Sequence, residues 1–92
     1  MLYALHARFK PGVQVPVALH AEFSAHLIQP VLRIHLAGPL YDGDGARSGI
    51  LMIMEAPDET SARHFVESSP YTRAGLYDSV SIDRFETEIG AI

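Results

Sequence analysis

The sequence predicts one α+β domain over residues 1–92, a four-stranded antiparallel sheet carrying two helices on one face. Three observations predict it. Apolar residues alternate with a period of two near both ends of the chain, which marks half-buried strands. Two stretches with helical spacing stand between strands, each opened by a proline or an aspartate. Read in order, the elements run β-α-β-β-α-β, the split, ferredoxin-like arrangement.

Leu2–Phe9 alternates Tyr3, Leu5, Ala7 and Phe9 against Leu2, Ala4, His6 and Arg8, and Lys10-Pro11-Gly12 stops it. Pro16 suits a first helical turn, and Leu19, Phe23 and Leu27 follow at i, i+4, i+8, predicting a helix over residues 16–29 that Pro30 ends. Val31–Ala37 reads as a strand with Leu32, Ile34 and Leu36 on one side, and Gly38-Pro39 is expected to break it. Tyr41–Gly45 is turn chemistry. Ile50–Met54 is a strand apolar on both faces. Pro57-Asp58 opens a second helix with Asp58 as N-cap and Ala62, Phe65 and Val66 on its buried side. Ser69 caps a further short turn that Gly75 stops, and Ser79–Phe85 is the last strand.

A strand apolar on both faces needs cover on both. Helices cover one; a second copy of the same sheet would cover the other and close a dimeric α+β barrel. The remaining bulk properties agree with a small oligomeric domain. Cysteine is absent, so neither disulfides nor thiolate sites support the fold or the chemistry. Seven basic residues against 11 acidic ones leave a net charge of −4, with the cations scattered singly along the chain, which argues against nucleic-acid partners. The amino terminus lacks the pattern of a signal peptide, and no apolar run is long enough for a membrane span. The expectation is a cytoplasmic protein. Asp42-Gly43-Asp44-Gly45 lacks the later ligands of a calcium loop, and no phosphate loop, serine elbow or zinc motif is present. Neither metal nor cofactor is expected.

Several segments, in order, resemble the YciI-like (YCII-related) family across the chain. They are Met1-Leu2-Tyr3, Ala37-Gly38-Pro39-Leu40 before an Asp/Gly turn, Gly49 entering an apolar strand, Glu55-Ala56-Pro57-Asp58, and Ser69-Pro70-Tyr71-Thr72-Arg73-Ala74-Gly75-Leu76-Tyr77. The resemblance implies a ferredoxin-like fold that dimerises through its sheet, and a catalytic dyad joining a first-helix histidine to the aspartate of an Asp-Pro-Tyr motif. It also implies chemistry like that of relatives that act on chlorinated aromatic breakdown products. Carried onto this chain, the histidine is His26, with His20 as the competing assignment because the spacing from helix to strand differs. Ser69 stands at the aspartate's position. The arginine usual one turn before the histidine is absent, and Ile50 stands where a serine often follows the strand-three glycine.

The exchange at Ser69 has a physical meaning. A carboxylate stabilises an imidazolium, whereas a serine orients the ring without charge; both cap a helix well. Glu22, one turn before His26, is spaced to pair with it, although a solvated helix residue is the simpler reading. His26 and Ser69 are therefore the expected catalytic residues, and Tyr71, His6 and Asp42 the expected substrate-binding ones. The expected function is a cofactor-independent small-molecule enzyme of the lyase, isomerase or dehydrochlorinase kind. It would use a histidine for proton transfer in a cleft between the sheet and the first helix. The alternative is a non-catalytic binding or dimerisation module that has lost the dyad.

Overall fold

A computed structural model describes all of residues 1–92. The elements are β1 (Leu2–Phe9), α1 (Val17–Leu27), β2 (Arg33–Tyr41), β3 (Arg47–Glu55), α2 (Glu59–Glu67), the short α3 (Pro70–Arg73) and β4 (Tyr77–Phe85). The strands form one antiparallel sheet in the order β2-β3-β1-β4, so β1 and β3 are central and β2 and β4 are edges. Helices cover one face only. This is the ferredoxin-like α+β fold that the order of elements predicts.

Register explains the core. Tyr3, Leu5 and Ala7 lie opposite Met54, Met52 and Ile50, and Leu5 also faces Ile82 on β4; all of these side chains are buried against Phe23, Ala62, Phe65, Val66 and Tyr71. Full burial of side chains such as Leu5, Met52 and Met54 contributes about 1.5–3 kcal/mol each. The other face carries Leu2, Ala4 and His6 opposite Glu55, Ile53 and Leu51. Nothing covers it, and Leu51 and Leu36 remain 37% and 44% exposed.

The caps follow their residues. Asp58 Oδ1 accepts the Ser61 amide at 2.7 Å, which holds its carboxyl below the ordinary range and fixes the start of α2. The helix over 16–29 is shorter than its periodicity predicts. Gln29 Oε1 accepts the amides of Val31 and Leu32, both at 2.7 Å, so the chain leaves α1 two residues early.

β2 departs furthest from expectation. It continues through Gly38-Pro39 to Tyr41, because β2 is an edge strand and a proline there costs no ladder bond on its open side. Its alternation also breaks. Ile34 pairs with Met54 and Leu36 with Ile53, leaving His35 as the extra residue of a bulge. Ile34 thus faces the helices while Leu36 turns to the bare face, so Leu32, Ile34 and Leu36 do not share one side.

Candidate functional site

Arg47, Tyr71 and His20 lie toward one end of the sheet, where β1 ends, β3 begins and α1 and α3 pack together. Aromatic rings hold this corner. Phe23 of α1 lies parallel to Tyr71 of α3 with centroids 4.0 Å apart. Phe9 meets Tyr71 edge-on at 5.7 Å and stacks on Tyr77 at 5.8 Å. Such pairs contribute about 0.5–1.5 kcal/mol beyond burial. Burial, together with the adjoining Tyr71 phenol, pushes the Tyr77 hydroxyl well up, and Ser69 partly opposes it.

Between α1 and the β2–β3 edge lies a cleft of about 150 Å³. Its walls include Phe23, Leu27, Pro39 and Ile50, and its polar groups are His20, Ser24 and Arg47. Arg47 also borders a second, outward cleft of about 340 Å³ with Lys10 and Asp42. Two polar atoms at this corner are sealed from solvent without a hydrogen-bond partner: Arg47 Nε and the Tyr71 hydroxyl. Tyr71 is 0% exposed, and burial raises its hydroxyl while the charge and hydrogen-bonding capacity of the adjoining Arg47 pull the other way. Cations that sit far apart in sequence are thus brought together by folding, since the end of β1 and the start of β3 meet here.

His26 sits elsewhere. It lines a groove of about 590 Å³ between α1 and α2, with His64, Ser61 and Ser68. Its ring stacks on Phe65 at 4.3 Å, and its Nε2 lies 3.1 Å from the Phe65 carbonyl oxygen. A carbonyl only accepts, so Nε2 carries a proton and donates to it. Ser69 is bound into α3. Thr72 Oγ1 donates to Val66 O at 2.7 Å, so Ser69 Oγ donates to Thr72 Oγ1 at 3.1 Å while accepting the Thr72 amide at 3.3 Å. No hydrogen bond joins His26 to Ser69.

The remaining expected residues are dispersed. His6 is on the bare sheet face, opposite Leu51 and Ser81. Asp42 spends Oδ1 on its own turn, accepting the amides of Asp44 at 2.9 Å and Ala46 at 3.1 Å. Tyr71 is in the core. The imidazole–carboxylate pair that the structure does contain is His35 Nε2 with Glu55 Oε1 at 2.9 Å, which His35 holds below the ordinary carboxylate range. That pair arises from the β2 bulge. Arg47 gave no sequence signal, being a lone arginine after a Gly-rich turn.

Comparison with known proteins places these features. Among solved structures, the 5-chloro-2-hydroxyhydroquinone dehydrochlorinase TftG of Burkholderia phenoliruptrix AC1100, in complex with 2,5-dihydroxybenzoquinone, is 28% identical. The match covers 94% of each chain with a TM-score of 0.81. The Arabidopsis thaliana protein At3g17210 matches with a TM-score of 0.53 at 14% identity, over 99% of this chain and 98% of that one, a likeness of fold. No curated protein matches the chain. No helix is long and apolar enough to cross a membrane. The YCII-related domain model matches residues 1–86, and the chain therefore belongs to the YCII-related domain family.

Proposed function

We propose that this protein is a cofactor-independent lyase-type enzyme for a small ring compound, with the cleft between α1 and the sheet as its site. The observation that carries the reading is that cleft itself: apolar walls sized for one ring, with a histidine and an arginine at its edge. A dehydrochlorinase relative at 28% identity, in complex with a dihydroxybenzoquinone, supports the reaction class. In such an elimination a base takes a proton from the substrate as the leaving group departs with its electron pair.

Of the two candidate histidines, His20 is the one we assign to proton transfer. It lines the cleft and makes no hydrogen bond within the protein, so both ring nitrogens are available. His26 has Nε2 committed to Phe65 O and opens on the other groove. Ser69 acts by capping α3, which positions Tyr71. The bare sheet face, with Leu36 and Leu51 exposed, is the contact surface for a second copy of the chain.

Release of chloride from a chlorinated hydroquinone, followed with a chloride electrode, tests the assignment. His20→Gln is expected to lower turnover by about 10²–10⁴-fold, the range of a general base, with His26→Gln staying within a few-fold of wild type. Turnover that survives His20→Gln removes His20 from the mechanism. A second reading is favoured by one observation: neither α1 histidine has a carboxylate partner, as a dyad would require. Ligand binding without chloride release from any substrate would establish that reading, a binding module.

A further inference from the structure

We propose that Arg47, backed by the Tyr71 hydroxyl, is an anion receptor, and that the ligand of the α1–sheet cleft is one ring bearing an ionised oxygen. The inference rests on the reading of that cleft as the ligand site, and adds the charge and size of what it takes.

Arg47 is half-buried and lacks a counter-charge. None of the ion pairs in the structure, His35–Glu55, Arg63–Glu59 and Arg84–Glu86, involves it. Asp42, the carboxylate bordering the outer cleft with it, is turned into its own loop by two backbone amides. A guanidinium sealed at Nε and left unpaired is costly, and the cost is offset when an anion meets it. The planar fork of an arginine suits an oxyanion better than any other cation.

Tyr71 supplies the second observation. Its side chain is wholly buried, yet its hydroxyl donates to nothing. Buried tyrosine hydroxyls usually find a partner. This one lies beside Arg47 but lines none of the clefts, so it backs the guanidinium from within the core while the ligand oxygen meets Arg47. The chain as a whole carries −4, so a general electrostatic attraction of anions is not available, and a local receptor is needed.

Size sets the rest of the ligand. A dry cavity of about 150 Å³ lined by aliphatic and aromatic side chains accommodates a benzene ring, and the inner cleft has about that volume with Phe23, Leu27, Pro39 and Ile50 as walls. The ring enters between them and its oxygen reaches Arg47, leaving His20 free at the rim. An ionised phenol or enol and a ring carboxylate share this chemistry.

The test uses the full chain and para-nitrophenol, whose yellow phenolate band reports its own ionisation, with benzoate as the carboxylate probe. Bound para-nitrophenol is expected to ionise at a lower pH than free probe. Its uncharged methyl ether, para-nitroanisole, is expected to bind at least about tenfold more weakly, as is the Arg47→Met variant for the phenolate, since a hydrogen bond to a charged group is lost. Arg47→Lys should recover part of the affinity. Tighter binding of benzoate than of the phenolate would make the ligand a carboxylate and leave the receptor standing. Equal binding of the ether, unchanged binding by a folded Arg47→Met protein, or no binding of either anion at millimolar concentration overturns the proposal. His20→Gln should keep phenolate binding while losing turnover, so the receptor and the proton-transfer assignment fail separately.

Discussion

At the scale of single residues, Tyr71 joins stability to function in opposite directions. Its ring is the centre of the aromatic corner, in contact with Phe9, Phe23 and Tyr77. Its hydroxyl is buried without a partner, and such a group costs about 1–3 kcal/mol. Tyr71→Phe keeps the ring and removes the liability. The variant is therefore expected to be more stable by about 1 kcal/mol, which in a domain of this size raises the melting temperature by roughly 4–8 °C, while binding the nitrophenolate probe less well. Urea unfolding monitored by circular dichroism checks it. A lower midpoint for Tyr71→Phe would mean that the hydroxyl is satisfied in solution and that its role in anion binding is to be abandoned. Ser69, by contrast, has its hydroxyl bound to Thr72 through both the side chain and the amide. The reading of that serine as a residue that keeps the fold followed from its equivalence to aspartate as an N-cap, a property fixed by local backbone and therefore legible from residue type. What Tyr71 and Arg47 do was not legible, because their meeting depends on two elements joined only by tertiary packing.

Elements were legible in proportion to how locally they are determined. β1 was read to the residue because both of its faces follow a strict alternation and it pairs on both sides. β2 was misread beyond Ala37 because a glycine and a proline carry local break signals that an edge position overrides, and because a bulge at His35 has no signature in composition. Gly49 shows the opposite case, a residue whose identity is dictated by its neighbour. A Cβ built there would overlap the carbonyl oxygen of Ala7 on the adjoining strand, and backbone cannot move aside as a side-chain tip can. Gly49→Ala is expected to destabilise the protein by at least about 3 kcal/mol, at the upper end of overpacking costs, enough to consume most of the margin of a small domain. Gly43→Ala, where a Cβ meets nothing within 4 Å, should stay within about 0.5 kcal/mol of wild type. Thermal melts of the two side by side decide it; equal midpoints would mean that β1 and β3 can separate at this point without loss.

For the molecule as a whole, the unequal treatment of the two sheet faces is the dominant physical fact. One face buries Leu5, Ala7, Ile50, Met52 and Met54 under the helices. The other presents Leu2, Ala4, Leu36 and Leu51 with nothing over them. A domain this short buries only about 60–65% of its unfolded surface, and with no cysteine it has no covalent support. A second copy laid on the bare face offsets both deficits. It would do so as a two-fold contact in which each residue is used twice, so a single charge placed centrally enters the interface as two like charges. Leu51 is central, lying opposite His6 on one side and Gly38 on the other. We therefore expect the wild-type protein to sediment at twice the chain mass, and Leu51→Glu to sediment as a monomer of reduced thermal stability. Thr60→Glu, an equally charged change on the exposed surface of α2, should leave the dimer intact. A stable contact of this kind buries about 800 Å² on each partner, so the association should persist on dilution to the micromolar range. A wild-type monomer at high concentration would sink the idea, and so would a Leu51→Glu protein that remains dimeric. In the second case the copies meet elsewhere, and the exposed pair Leu36 and Leu51 requires some other cover.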